Sequence, residues 1–270
     1  MNLTPSVRHA LAAFLLLVTF EASAQWTRVA PGVDYQHIRH GTIDAHVTRI
    51  DLRNRKLRIV STREEDRALT VSAFAKKVHA IVAINGDYFN EEKIQPIGIS
   101  LGMCGLWWNG IDVGRKQGLV AFGRRRAEIQ QNTMNVAPWM ESAVSGWPLL
   151  VSDCKVIEDL PGSDHFTRAP HPRTSAGISK DGKTVFFVVT EGRMEGVPGL
   201  TLPELATFLR EELGICRAMN LDGGGSSTMF VRNAVVNHPS DGFEREVGNH
   251  LAVVLARDVP RCIVERRAKE

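Results

Sequence analysis

Apolar residues in this chain fall into short alternating or continuous runs, with few long helical stripes. Ile43, Ala45 and Val47 alternate with Asp44, His46 and Thr48, and Leu57-Arg58-Ile59-Val60 resumes after Asn54. That period of two predicts a half-buried antiparallel hairpin. Thr70 precedes Val71, Phe74, Ala75 and Val78, which share one helical face behind a capping hydroxyl. Ala80-Ile81-Val82-Ala83-Ile84 is apolar throughout, as a central strand covered on both sides would be. It stops abruptly at Asn85-Gly86-Asp87-Tyr88. Gly118 to Phe122 reads as another strand, and 159–172, with Pro161, Gly162, Pro170 and Pro172, as a long surface loop.

The second half is patterned more clearly. Ser175–Ser179 and Thr184–Thr190 flank Lys180-Asp181-Gly182-Lys183, where Asp-Gly supplies a hairpin turn. Thr201 to Leu213 reads as a helix. Thr201 and Glu204 form a capping box, Leu202, Leu205, Ala206, Leu209 and Leu213 make its apolar face, and Gly214 stops it. A short strand over 216–221 runs straight into Asp222-Gly223-Gly224-Gly225-Ser226-Ser227. A hairpin joining 229–231 to 234–236 and a late strand over 251–256 complete the pattern. The fold class expected is α+β: a single domain over 25–270, its core at 43–256, with a large mixed or antiparallel β-sheet and a few packed helices. A split near 159–172 is the alternative.

Residues 1–24 stand apart. Ala10 to Phe20 is broken only by Thr19 and is followed by Ala22-Ser23-Ala24, which predicts a secretory signal peptide and a periplasmic or extracellular product. No other run is long enough to suggest a permanent membrane anchor. With 270 residues, 43% hydrophobic and 23% charged, the chain can bury a sizeable core. A net charge of only +3 argues against a dedicated nucleic-acid binder, and the run Arg124-Arg125-Arg126 reads as a solvated turn. Cys104, Cys154, Cys216 and Cys262 are dispersed, so export permits one or two disulfides in any of three complete pairings.

Polar groups appear where apolar strands end, and there the candidate chemistry gathers. Three successive glycines are costly to order, and one use of them is to let amides converge on an anion or sugar while Asp222 is presented at a strand end. Gly223, Gly224, Gly225, Ser226 and Asn220 are accordingly candidate binding residues, with Asn85 placed to orient a sugar hydroxyl. Arg173 offers a planar cation for phosphate or carboxylate, beside His171. Asp222, Glu191 and Asp87 form the candidate catalytic acids, two of which would serve glycosidic cleavage. The same three acids are alternatively a hard-oxygen set for calcium or magnesium, although nothing in the sequence demands a cofactor. No zinc motif is present, and His171, His238 and His250 are weak candidates individually.

Taken in order, several passages resemble the phosphodiester glycosidase family. They are Asn85-Gly86-Asp87-Tyr88-Phe89, Ser145-Gly146-Trp147-Pro148-Leu149-Leu150, Pro172-Arg173-Thr174-Ser175-Ala176-Gly177 and Glu191-Gly192. The helix from Thr201, Asn220-Leu221-Asp222-Gly223-Gly224-Gly225-Ser226-Ser227, Asn237-His238-Pro239 and Gly248-Asn249-His250 follow. The resemblance covers Ile43 to Ala256. It implies hydrolysis of a sugar-1-phosphodiester at the C1–O bond, leaving a phosphomonoester. Arg173 would then be a phosphate ligand, Asp222 and Glu191 the acidic centre, and Asn85, Asp87 and the glycine run the positioning groups. Glu191 stands where the animal enzymes of the family carry aspartate, with the charge retained and the reach longer. A phosphodiester-linked envelope or extracellular glycan is the expected substrate. A phosphodiesterase cleaving P–O and a noncatalytic anionic-glycan-binding protein remain the alternatives.

Overall fold

Period-two alternation is resolved in this protein by covering both faces of its largest sheet. A computed structural model describes residues 25–103, 105–110, 117–133 and 135–259. The signal peptide expected over 1–24, Cys104 and Cys262 lie outside these residues. Along Thr184–Thr190, Val185, Phe187 and Val189 enter the central core, while Phe186 and Val188 point to the opposite face. That opposite face is covered by Leu202, Leu205, Ala206, Phe208 and Leu209. Eight strands form the sheet, in the order Thr27–Ala30, Val33–His40, Ile43–Asp51, Thr184–Thr190, Arg173–Ile178, Arg217–Asn220, Leu149–Ser152, Lys155–Val156. Every neighbouring pair is antiparallel.

Two five-stranded sheets close the core from the other side. In one, Val82–Asn85 lies between Met229–Val231 and His250–Leu255, the central position its unbroken apolarity predicts. The helix Val71–Lys77 packs Val71, Phe74 and Ala75 on this sheet's outer face, and the Thr70 hydroxyl accepts from the Ala73 amide. In the other, Gly118–Phe122 pairs with Ala127–Gln130 and Ser142–Gly146. The class is the expected α+β, with antiparallel sheets dominating.

Three local expectations need correction. Ile43–Asp51 and Leu57–Ser61 are not a hairpin. The first pairs with Val33–His40 and Thr184–Thr190, the second with His250–Leu255. Ile50, Leu57 and Ile59 still share one core, because they meet across facing sheets and not side by side. Ile43–Asp51 is also buried on both faces, Asp44, His46 and Thr48 included. The helix at Thr201 keeps its capping box but is α-helical only over Leu202–Thr207, then widens into a π-type turn over Phe208–Glu212. Both Phe208 and Leu209 are buried there. The loop over 159–172 contains a helical turn, Asp164–Thr167, capped by the Ser163 hydroxyl.

Cys154 and Cys216 are bridged, closing a chain separation of 62 residues and tying Lys155–Val156 to the strand Arg217–Asn220. No helix among the described residues is long and apolar enough to cross a membrane.

Candidate active site

Antiparallel order alone gathers the polar strand ends. In such a sheet the start of one strand shares an edge with the ends of its two neighbours. Arg173 opens Arg173–Ile178, opposite Thr190, the last residue before Glu191. On the other side Ser175 faces Asn220, which leads into Asp222. The second sheet repeats the device, with Asn85 at the end of its strand opposite His250.

Asn85 locks these two edges together. Its Nδ2 donates to the Asp222 carbonyl at 2.7 Å, and its Oδ1 accepts from Thr174 Oγ1 at 2.8 Å and the Thr228 amide at 3.2 Å. The Asp222 amide in turn donates to the Gly86 carbonyl at 3.0 Å. Asn85 is fully buried, so the sugar contact expected of it is not available, and its amide fixes the backbone that presents Asp222. Asn220 is likewise internal, donating to Tyr88 Oη at 2.5 Å and to the Trp147 carbonyl at 3.0 Å. Asp87 is buried and accepts the Gly98 amide on Oδ2 at 2.8 Å. Ser226 is buried as well. These four residues support the site from beneath.

Asp222 stays partly exposed, with Oδ1 accepting the Gly223 amide at 3.0 Å. The glycine turn uses its amides differently from the expected anion cradle. Gly224 donates to the Pro172 carbonyl at 2.9 Å, and Ser226 and Ser227 donate to Gly223 and Gly224 within the turn. What the glycines permit is close approach. A Cβ on Gly224, at φ +61°, would lie 3.0 Å from Arg193 Nη2. One on Gly225 would overlap the Asp241 carboxylate and the Arg245 guanidinium, which pair with each other. The guanidinium groups of Arg193 and Arg245 therefore lie against the turn.

Arg173 is buried and forms no ion pair among the described residues. Its Nε donates to the Leu200 carbonyl at 2.9 Å, and Nη2 to the carbonyls of Phe166 and Ala169 at 2.9 and 3.0 Å. Nη1 has no partner there. Burial pushes this guanidinium down to about 10. Arg193 Nη2 meets His171 Nδ1 at 3.3 Å, and His171 Nε2 meets the His165 carbonyl at 3.1 Å. Burial lowers the His171 imidazole below its ordinary value.

Glu191 lies deeper. Its Oε1 receives His46 Nε2 at 3.2 Å, the His238 amide at 2.8 Å and His238 Nδ1 at 3.1 Å. Burial opposes its ionisation, but these hydrogen bonds hold its carboxyl below the usual range. His46 is lowered, chiefly by burial. Its Nδ1 sits 2.8 Å from Tyr35 Oη, whose hydroxyl burial and the nearby acids push up to about 12. His37 stacks on His46 with centroids 4.1 Å apart and bonds Asp44 at 2.6 Å.

The expected cation set of Asp87, Glu191 and Asp222 does not converge. Among the described residues, the grouping of three side chains with ligand atoms within 4.8 Å of one another is His37, Asp44 and His46. Those groups already bond Tyr35, Glu191 and each other. Pattern reading missed His46, whose place on the polar half of an alternating strand looked solvent-facing, and missed Tyr35 and Arg245, for which no local signal was read. A cavity of about 720 Å³ lined by Arg58, Leu101, Met103, Met140 and Arg257 shares none of these residues.

Comparison with known proteins identifies the family. The sequence profile of the phosphodiester glycosidase family matches residues 79–254. The chain belongs to the phosphodiester glycosidase family. The cattle N-acetylglucosamine-1-phosphodiester alpha-N-acetylglucosaminidase is 26% identical over 217 residues, 73% of this chain and 40% of that protein. The mouse enzyme of the same name is 29% identical over 113 residues, 41% and 21% of the two chains. The chain therefore spans less than half the length of these curated relatives. The zebrafish enzyme's catalytic domain has a similar fold, with a TM-score of 0.67 and 18% identity, over 87% of this chain and 84% of that one. A hypothetical protein from Synechocystis aligns with a TM-score of 0.66 and 14% identity, over 86% and 64%.

Proposed function

We propose that this protein hydrolyses a sugar-1-phosphodiester at the glycosidic C1–O bond, releasing the sugar and leaving a phosphomonoester on the other partner. The observation that carries the reading is a partly exposed carboxylate, Asp222, presented beside the guanidinium-lined glycine turn. A phosphate leaving group needs its charge neutralised more than it needs a proton, and Arg173 Nη1 and Arg193 supply cations. Asp222 stabilises the positive charge that develops at C1. The related vertebrate enzymes are named for N-acetylglucosamine-1-phosphodiesters, and a substrate of that class on an exported glycan fits the leader-like sequence over 1–24.

Metal-assisted cleavage of P–O has less support, since Asp87, Glu191 and Asp222, the acids expected to hold a hard cation, do not converge. Hydrolysis of an N-acetylglucosamine-1-phosphate methyl diester in ¹⁸O-labelled water tests the reading. Label is expected on the sugar; label on phosphate means P–O cleavage, and absence of turnover favours a binding role. Asp222→Asn is expected to lower kcat by about 100-fold or more with an unchanged circular dichroism spectrum, and full turnover in that variant removes Asp222 from the chemistry.

A further inference from the structure

Glu191 ends a strand at the site, yet its side chain is only 2% exposed while that of His238 is 80% exposed. The carboxylate therefore faces solvent through an imidazole. Two donors from His238, its backbone amide and its Nδ1, converge on the same Oε1, so backbone and ring are held together. A neutral imidazole has one N–H. Placing it on Nδ1 against an ionised carboxylate leaves the lone pair on Nε2, which has no partner among the described residues.

The second imidazole on Glu191 cannot take that part. His46 is 2% exposed, its Nδ1 meets the Tyr35 hydroxyl, and its Nε2 meets Glu191. Of the two rings, only the outer one offers an unprotonated nitrogen to solvent. Its segment is also anchored to the site. The neighbouring Asn237 donates to the Ser227 carbonyl at 2.9 Å and accepts the Met229 amide at 2.7 Å, which ties it to the strand leaving the glycine turn.

We propose that His238 is a catalytic residue whose Nε2 takes the proton of the attacking water, and that Glu191 and His46 are positioning residues acting through it. This rests in part on the hydrolytic reading above. The water oxygen bonds to C1 while the C1–O bond breaks, and the phosphate oxygen keeps the electron pair. The water proton passes to Nε2 and from there to solvent, leaving a free sugar and a phosphomonoester.

The test uses the full chain and the same methyl diester. His238→Gln retains the backbone bond to Glu191, so its thermal midpoint is expected to stay unchanged while kcat falls about 100-fold or more and KM stays within about threefold. Undiminished kcat in that variant would overturn the proposal. The ¹⁵N spectrum of the His238 ring gives a readout independent of turnover. Wild type is expected in the Nδ1–H form, and Glu191→Gln to shift the ring toward Nε2–H. A wild-type ring already in the Nε2–H form refutes the arrangement whatever the activity. Failure of wild type to release sugar overturns the hydrolytic reading and the water-activating step with it, whereas sugar release with an unaffected His238→Gln overturns the inference alone.

Discussion

Arg173 carries a buried charge that no carboxylate of the described chain neutralises; three backbone carbonyls do so in part. The same guanidinium fastens the segment at 166–169 and leaves Nη1 without a partner among the described residues, so replacing it tests the structural role and the proposed ligand role together. Lysine retains the charge but not the planar fork. Arg173→Lys is expected to lower stability by about 1–3 kcal/mol, because it strands buried carbonyls. Denaturant unfolding measures that cost. Faster proteolysis within 159–169 should accompany it, and an unchanged unfolding midpoint would show that the carbonyl bonds hold little. A position before a strand made Arg173 a candidate from sequence; the three carbonyls come from 166, 169 and 200 and carry no local signal.

At the level of elements, the glycine turn is defined by what approaches it. Gly225 needs no left-handed backbone, yet a methyl there meets the Asp241–Arg245 pair. Gly182 is the reverse case, at φ +66° in the hairpin turn with nothing within 4 Å. Gly225→Ala is therefore expected to cost about 1–3 kcal/mol through overpacking and to depress turnover. Gly182→Ala should cost about 1 kcal/mol through backbone strain alone, with turnover intact. Thermal midpoints and kcat for the two variants separate the causes. Equal activity in both would mean that the turn does not need the guanidiniums so close. The hairpin at Gly182 was legible because its determinants are adjacent residues, whereas the partners of Gly225 lie 16 and 20 positions onward.

For the molecule as a whole, joining two sheet edges buries polar groups that respond to pH. His250 is wholly buried, stacked on Phe74 at 4.5 Å, and donates from Nε2 to the Leu69 carbonyl at 3.0 Å. Burial lowers its pKa from 6.5 to about 4. Above 6.5 neither the folded nor the unfolded chain protonates this group. Between 6.5 and about 4 only the unfolded chain binds the proton, so stability falls with pH, by about 3 kcal/mol for this residue. His46 and His171, also lowered by burial, add to the same slope. Urea midpoints measured from pH 7.5 to 4.5 should therefore decline, and His250→Gln should show a shallower decline. Parallel slopes would mean that His250 is reached by water and protonates in the folded state.

By itself the sequence determined which stretches alternate, which run apolar, where the capping box and the Asp-Gly turn fall, and that acids, an arginine and a glycine run stand at strand ends. These are properties of neighbouring residues, set by side-chain period and backbone preference. Tertiary structure alone decided that Ile43–Asp51 and Leu57–Ser61 belong to different sheets, that Asn85 and Asp87 face inward, and that Glu191 reaches solvent through His238. Burial and hydrogen-bond partnership arise between segments far apart in the chain, 145 residues for His46 and Glu191. A local pattern marks a polar strand end as important, but only the packing of one sheet edge against another decides whether its side chain faces a substrate or supports one that does.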